Sequence, residues 1–367
     1  MKKIKLLIFG MLIAFFAQSQ NLIVANNNPG AQTGVNVFTG GNAIRNAFTA
    51  SVAGDIIYVV PSPTSYGSLN ITHAITIFGV GIRPSKDLGS KSLVGLINVD
   101  ADNVRLSGLV SSNNEINLAW NVGTGNIDNI IIENCRTGRV LMTGKPSGTV
   151  SNLLIRNNVI TGTGSIATHI LLNTTANAII TNNIMLAGGS VSQLMIKALN
   201  ATFSYNLFSD NGNEGPFSPV IDCIFDHNIF YGVQVDIGSA STGNSWTNNL
   251  SFGNTTDLDN VFEVTNNGNT GSGNIESVAG SNDPLFINLP IANAQTWNDS
   301  YDFTLSAGSP ALAAHVLNLT TEDIGPSGGA TPFDFEGNLL PLIQSVTVPS
   351  VIPVGTDLPV TIKAKGN

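Results

Sequence analysis

The chain of 367 residues carries little charge: only 11% of its residues are Asp, Glu, Lys or Arg, and its net charge is −9. Average globular chains carry about 25% charged residues. The negative balance excludes nucleic acid and anionic lipid as expected partners, because both are polyanions. It leaves neutral glycans, cationic surfaces and Ca²⁺ as open alternatives, and the 38 Gly and 45 Asn are typical of an extracellular β solenoid.

Residues 1–19 have the pattern of a secretory signal peptide. A start with three Lys residues is followed by an apolar run from Leu6 to Phe16 and by small residues that suit cleavage after Ser19. This run is too short to span a membrane, and no later stretch is long and apolar enough. We therefore expect the protein to be exported to the periplasm, the cell surface or the medium. We expect no insertion into the membrane.

A short amphipathic helix is predicted next, over Asn42 to Ser51. Its apolar residues Ala43, Ile44, Ala47 and Phe48 share one helical face. A strong strand from Asp55 to Val60 follows directly. Because the open end of a solenoid exposes apolar core and unpaired strand edges, it needs a cap, and this helix is our candidate.

One phrase repeats through the middle of the chain and ends in two adjacent turn residues. Aligned on the second of these, its copies fall at Cys135, Asn158, Asn183, Asn206, Asn228 and Asn249. A regular period of 21 to 25 residues is typical of a solenoid. It leaves room for three short strands and three turns in each coil.

The residues before each aligned position alternate between apolar and polar, which predicts a strand with one buried face. Stacked coils lie about 4.8 Å apart, so the aligned Asn side chains would lie above each other. Their amides can both donate and accept, and Asn also tolerates a left-handed turn backbone. We predict a hydrogen-bonded Asn ladder in this column, against the alternative of ordinary polar loops.

This pattern resembles the right-handed parallel β-helix repeats of the pectate-lyase-like superfamily, in particular the secreted β-helix proteins common in Bacteroidetes. The resemblance covers roughly residues 22–340. It implies an all-β, right-handed parallel β-helix solenoid with a short N-terminal capping helix, over residues 20–341. The superfamily hosts lyases, hydrolases, esterases and non-enzymatic surface proteins, so the resemblance is specific for fold and not for function.

Three stretches fit the repeat poorly. Residues 111–128 predict a long Asn-rich excursion, and the repeat is predicted to end after Asn254, with a loop or irregular coil over 255–282. Order resumes at Asp283 to Phe286, and the stretch from Asp302 to Ala311 resembles the closing coil of such proteins. Residues 342–367 are rich in Pro and Val and predict a separate C-terminal strand tail or hairpin.

The second strand of each coil is less regular, and its polar residues form a candidate catalytic site. This predicted polar stripe consists of His169, Lys197, Asp222 and Asp236. Stacking of Ile196 on Ile221 would place Lys197 beside Asp222 on adjacent strands, both pointing outward. The other two residues of the stripe would follow one coil to either side.

The stripe contains the groups that cleavage of a polysaccharide requires. A lyase needs a base and a cation that neutralises a uronate carboxylate; Lys197 or His169 could be the base, and Asp222 with Asp236 could hold Ca²⁺. A glycoside hydrolase needs two carboxylates, which the same two Asp residues would supply. A solvated surface Lys–Asp pair stays an open alternative.

We favour a carbohydrate-facing or surface structural protein, expected to be a monomer with an extracellular polysaccharide as partner. A polysaccharide lyase or glycoside hydrolase is the alternative, although the chain lacks the paired Asp motifs of polygalacturonases and the basic cluster of pectate lyases. Trp120 could stack on a sugar face or anchor its own loop. Cys135 and Cys223 lie about four coils apart, beyond the reach of a disulfide.

Overall fold

The computed structural model describes the chain at residues 20–82, 90–119, 126–142, 149–162, 168–173, 175–187, 195–209, 217–233, 240–252, 267–276, 282–289, 297–313, 315–334, 342–347 and 361–365. The predicted signal peptide lies outside these residues. They form a right-handed parallel β-helix, as the repeat predicts. Each full coil contains three strands, which we call A, B and C in chain order, and the strands are numbered along the chain.

The A strands form one continuous parallel sheet. They are β1 (Leu22–Asn26), β3 (Ile56–Val59), β5 (Ile75–Phe78), β7 (Val104–Ser107), β9 (Ile127–Glu133), β11 (Val150–Arg156), β15 (Ala178–Thr181), β18 (Ala201–Ser204), β21 (Ile224–Asp226), β23 (Ser245–Thr247) and β25 (Thr270–Ser272). Two short strands pair at the margins of this sheet, β2 (Val37–Thr39) with β1 and β14 (Thr175–Ala176) with β11.

The B and C strands belong to a second parallel sheet, which bends at the corner between them. The B strands are β12 (Val159–Ile160), β16 (Ile184–Leu186), β19 (Leu207–Ser209), β22 (Ile229–Tyr231) and β24 (Leu250–Phe252). The C strands are β4 (Leu69–Ile71), β6 (Ile97–Val99), β13 (Thr168–Leu172), β17 (Met195–Leu199) and β20 (Phe217–Ile221). Two longer strands, β8 (Val110–Leu118) and β10 (Arg136–Leu141), cover both positions. The sequence prediction of an excursion over 111–128 is therefore wrong for residues 111–118 and 127–128, which lie in β8 and β9.

Helix α1 (Ala43–Ala50) packs against the first strands and confirms the predicted cap. Its residues Ala43, Ile44, Ala47 and Phe48 are buried in the same core as the A and C strands. In the described part of the chain, no helix is long and apolar enough to cross a membrane.

The predicted Asn ladder is confirmed at the turn between the A and B strands. The backbone N–H and Nδ2 of Asn206 both donate to Oδ1 of Asn228, at 2.9 and 3.0 Å, and Asn183 donates to Asn206 in the same way. The same bonds join Asn158 to Asn183, Asn228 to Asn249 and Asn249 to Asn274. Each amide thus satisfies buried backbone groups that would otherwise lack a partner.

The left-handed backbone lies one residue before the ladder, which corrects the prediction that placed it in the ladder itself. Asn157, Asn182, Tyr205, His227 and Asn248 have φ between 53° and 55°. The turn therefore divides its two tasks between neighbouring residues. The first residue turns the chain, and the second, in ordinary backbone geometry, carries the hydrogen bonds.

The coils also continue further than predicted. Thr270–Ser272 pairs with β23, and Asn269 receives bonds from the backbone N–H and Nδ2 of Asn244 at 2.9 and 2.8 Å. This second, inward ladder begins at Cys223, whose backbone N–H donates to Asn244. The repeat therefore does not end after Asn254, because residues 267–276 add another A strand and another ladder position.

A second core lies outside the coils, against the outward face of the B strands. We call residues 282–289 and 297–334 the closing segment; it includes an antiparallel pair, β26 (Phe286–Asn288) and β27 (Asp302–Leu305). Its buried residues Phe303, Ile324 and Phe333 pack with Val159, Leu207 and other B-strand residues. The tail forms an antiparallel hairpin of β28 (Leu342–Thr347) and β29 (Thr361–Lys365), one of the two forms the sequence suggested.

Candidate binding surfaces on the A-strand face

The observed register does not bring the predicted polar stripe together. Lys197 lies opposite Leu171 on one side. On the other side, Ile196 pairs with Phe217 and Leu199 pairs with Ile221, with an irregularity between them. The predicted stacking of Ile196 on Ile221 is therefore wrong, since the partner of Ile221 lies three residues further along β17, and Lys197 does not lie beside Asp222.

His169 does not point outward as the stripe requires. It occupies the irregular position between the paired residues Thr168 and Ile170, and it is fully buried. Its Nε2 lies 2.8 Å from the carbonyl oxygen of Leu186, and its ring packs against Gly162. A bulge inserts one extra residue and redirects side chains, so strict alternation could not predict this orientation.

Asp222 is a turn residue between the C and A strands. Its φ is 53°, in the left-handed region. Its counterparts in the preceding coils, Asn177 and Asn200, have similar values of 58° and 52°. Aspartate adopts this conformation more readily than most residues because its short side chain bonds locally. Asp236 and Trp120 lie outside the described residues, so their predicted roles stay predictions. In the described part of the chain, no group of three or more His, Cys, Asp or Glu is placed to hold a metal.

The structure instead shows a groove along the outward face of the A strands, beside this turn. It is open to solvent and has a volume of about 520 Å³. Its edge is formed by Asn177, Asn200 and Asp222, and its floor by Ile179, Thr202 and Ile224, with Ala178 and Ala201 between them. Ile179 and Ile224 are 45% and 47% exposed, which is unusual for large apolar residues in the middle of a sheet.

The groove repeats with the coil. Ile179, Thr202 and Ile224 are direct register partners on three consecutive strands. The edge residues Asn177, Asn200 and Asp222 recur at intervals of 23 and 22 residues, the same period as the ladder. That period was the signal in the sequence that could have identified the groove, since it marks a second turn column parallel to the first.

A charged cluster lies on the same face, towards the N-terminus, on adjacent strands β7, β9 and β11. Glu133 is only 2% exposed and lies between Arg105 and Arg156, which are 42% and 31% exposed. Burial opposes ionisation of the Glu133 carboxyl, but the bonds from Arg156 and Arg105 outweigh it and lower its pKa. The sequence showed charged residues here in an outward strand column, but gave no reason to group them.

A third polar group lies on the outward face of the C-strand positions. Asn117 donates to Oδ1 of Asn98 at 3.0 Å, and Asn98 donates to Asn70 at 2.7 Å. Asn117 also reaches Glu115 at 3.3 Å, which pairs with Arg139. These side chains are mostly buried and mutually satisfied, and they hold neighbouring coils together.

Comparison of the chain with protein-family models, with curated proteins and with solved structures found no match.

Proposed function

We propose that the protein is an exported, pectate-lyase-like β-helix protein that binds an extended extracellular polysaccharide along the outward face of its A strands. The observation that carries this proposal is the groove, whose edge and floor columns repeat over three successive coils. Successive coils lie about 4.8 Å apart. An extended sugar chain lying along the solenoid axis would therefore meet a similar pair of contacts at each step.

The chemistry of the groove suits a sugar. The C–H face of a pyranose ring can lie on the Ile179–Thr202–Ile224 floor, while its hydroxyls can exchange hydrogen bonds with the Asn177 and Asn200 amides. Asn and Thr both donate and accept, as sugar hydroxyls do. The groove contains only one charged residue, Asp222, which favours a neutral stretch of polymer.

The observed register favours binding over cleavage. The lyase alternative with Lys197 as base depended on Lys197 beside Asp222, and these residues lie at different positions of the coil. The hydrolase alternative, Asp222 with Asp236, stays a prediction because Asp236 lies outside the described residues. Asp222 has instead a conformational role that its Asn neighbours share. The pattern of residues 1–19 supports export, and N-terminal sequencing of the mature protein should then find Gln20 first.

Affinity electrophoresis in gels that contain single soluble polysaccharides would test binding. We expect retardation by at least one neutral polymer, and Ile224→Glu should weaken it by about tenfold or more because it places a charge on the floor. Leu22→Glu is the matched control, since Leu22 is exposed in the same outward column several coils away. Equal retardation of Ile224→Glu and the wild type would exclude the groove as the binding site.

A further inference from the structure

The charged cluster of Arg105, Glu133 and Arg156 is a second feature of the A-strand face. We propose that its two arginines form a clamp for an oxyanion, a carboxylate or a sulfate ester, carried by the bound polymer. The inference rests on the proposed function for the identity of the polymer. It concerns a different site from the groove and adds a preference for acidic substituents.

The two arginines are oriented but not saturated by Glu133. Arg105 donates its Nε to Oε1 at 2.8 Å together with its Nη2, and Arg156 donates Nε and Nη2 to Oε2 at 2.9 and 2.6 Å. Neither Nη1 hydrogen-bonds to any residue that the structure describes. A guanidinium presents five donors in a rigid fork, so each arginine keeps donors for a ligand while the carboxylate fixes its plane.

The surroundings of the clamp also suit a ligand. Ser107 lies in the outward column directly before Glu133, and its hydroxyl is buried without a hydrogen-bond partner among the described residues. Buried polar groups are nearly always paired, and this hydroxyl can bond a bound group only if the side chains that cover it move. Phe78 holds the Arg105 guanidinium over its ring, 5.4 Å from the centroid, which limits its rotation further.

The local charge has the right sign for an oxyanion. Two arginines and one glutamate leave a net charge of +1 on a surface whose parent chain carries −9. At physiological ionic strength, charges beyond about 8 Å are screened, so the cluster, and not the whole molecule, governs a close approach. Guanidinium groups match carboxylate and sulfate oxygens in a fork geometry.

The two arginines converge from the coils on either side of Glu133. Arg105 and Arg156 stand on β7 and β11, and their guanidinium groups reach the two oxygens of the same Glu133 carboxylate. One acidic group of a polysaccharide that lies along the axis could therefore bond both arginines. The apolar residues Ile131 and Leu154, adjacent to Arg105 in its outward column, continue the floor of the groove towards the clamp.

Binding to the clamp can be measured with carboxylated, sulfated and neutral polysaccharides at low and high salt. We expect tighter binding of an acidic polymer at low salt, and Arg105→Gln and Arg156→Gln should each weaken it by about tenfold while binding of a neutral polymer stays unchanged. The carboxylated and sulfated arms identify which oxyanion is preferred. Arg45→Gln is the control, since Arg45 is exposed on α1, away from this face.

Glu133→Gln separates a binding role from a purely structural one. It keeps both arginines and removes the competing carboxylate, so a clamp should bind the acidic polymer at least as tightly as the wild type. Weaker binding by Glu133→Gln and by both arginine variants, in parallel with their melting temperatures, would overturn the clamp.

Inorganic sulfate, compared with chloride at equal ionic strength, tests the clamp without any polymer. Sulfate should raise the melting temperature of the wild type more than that of Arg156→Gln. Equal shifts would reject the clamp and leave the groove untouched. Failure of every polysaccharide to bind, together with a larger sulfate shift in the wild type, would reject the proposed function and keep the oxyanion site.

Discussion

Each asparagine of the ladder satisfies several buried groups at once. Asn206 accepts two bonds from Asn183, and its Nδ2 donates both to Asn228 and to the carbonyl oxygen of Ile180 at 2.8 Å. The ladder could be predicted from sequence because few residue types can make all of these hydrogen bonds at one position. The conformational residue before it varies more, from Asn to Tyr and His, so spacing alone did not identify its backbone.

Asn206→Ala should lower the free energy of unfolding by about 1–3 kcal/mol, because it leaves buried partners without hydrogen bonds. Chemical denaturation monitored by far-UV circular dichroism would measure this loss. Asn36→Ala is the control: Asn36 is exposed, and its substitution should change stability by no more than about 0.5 kcal/mol. Equal losses of unfolding free energy in the two variants would mean that the hydrogen bonds of the ladder do not stabilise the protein.

The two cysteines begin the two ladders, and both are free and buried, as predicted. Burial raises the pKa of Cys135 to about 12 and that of Cys223 to about 11. Because the thiolate is the reactive form, iodoacetamide at pH 8 should label neither residue until the protein unfolds. Mass spectrometry would detect the adducts, and rapid labelling of either cysteine in the folded protein would contradict the structure. Both raised values favour the folded state below the unfolded thiol pKa, and this contribution disappears as the pH rises through the folded values.

At the scale of elements, the strands could be predicted where alternation is strict and not where it is interrupted. The A strands follow their columns without a shift from β15 to β23, and α1 lies where the amphipathic pattern placed it. The C strands contain irregularities between Thr168 and Ile170 and between Ile196 and Ala198. Each one changes the register by a residue or more, and a small error of register moves a side chain to another face. For that reason the predicted position of Lys197 beside Asp222 is wrong, although the neighbouring residues Ile170 and Ile196 were correctly predicted to point inward.

The closing segment should detach from the coils when its apolar contacts are lost. Ile324 is 1% exposed in the second core, so Ile324→Asp would bury an unpaired charge there. Limited proteolysis should then cut the closing segment faster, while the coils stay resistant. Leu319→Asp, at an 83% exposed position of the same segment, should leave the cleavage rate unchanged. If both variants were cut alike, the second core would not be what holds the segment.

Across the whole molecule, stability should fall in acid because several carboxyls, some buried and some exposed, are stabilised as anions. Burial opposes ionisation of Asp55, Asp226 and Asp299, yet hydrogen bonds and nearby cations lower the pKa of each, as they do for Glu133. A lowered folded pKa contributes stability that is present above the ordinary values of 3.8 and 4.5 and is lost as the pH falls through the folded values. Denaturation series from pH 7 to about 3 would measure this loss, and a flat profile would contradict these pairings.

The ladder also gives the stack of coils a direction. In every rung the earlier asparagine donates and the later one accepts, so an incomplete stack exposes two unused donors at its C-terminal edge and none of the matching acceptors. A chain made N-terminus first therefore presents unused donors to the coil that is made next. The apolar outward faces of the B strands stay uncovered until the closing segment, made later, packs over them. We expect a chain that stops before residue 282 to form a stack of coils with this apolar surface exposed.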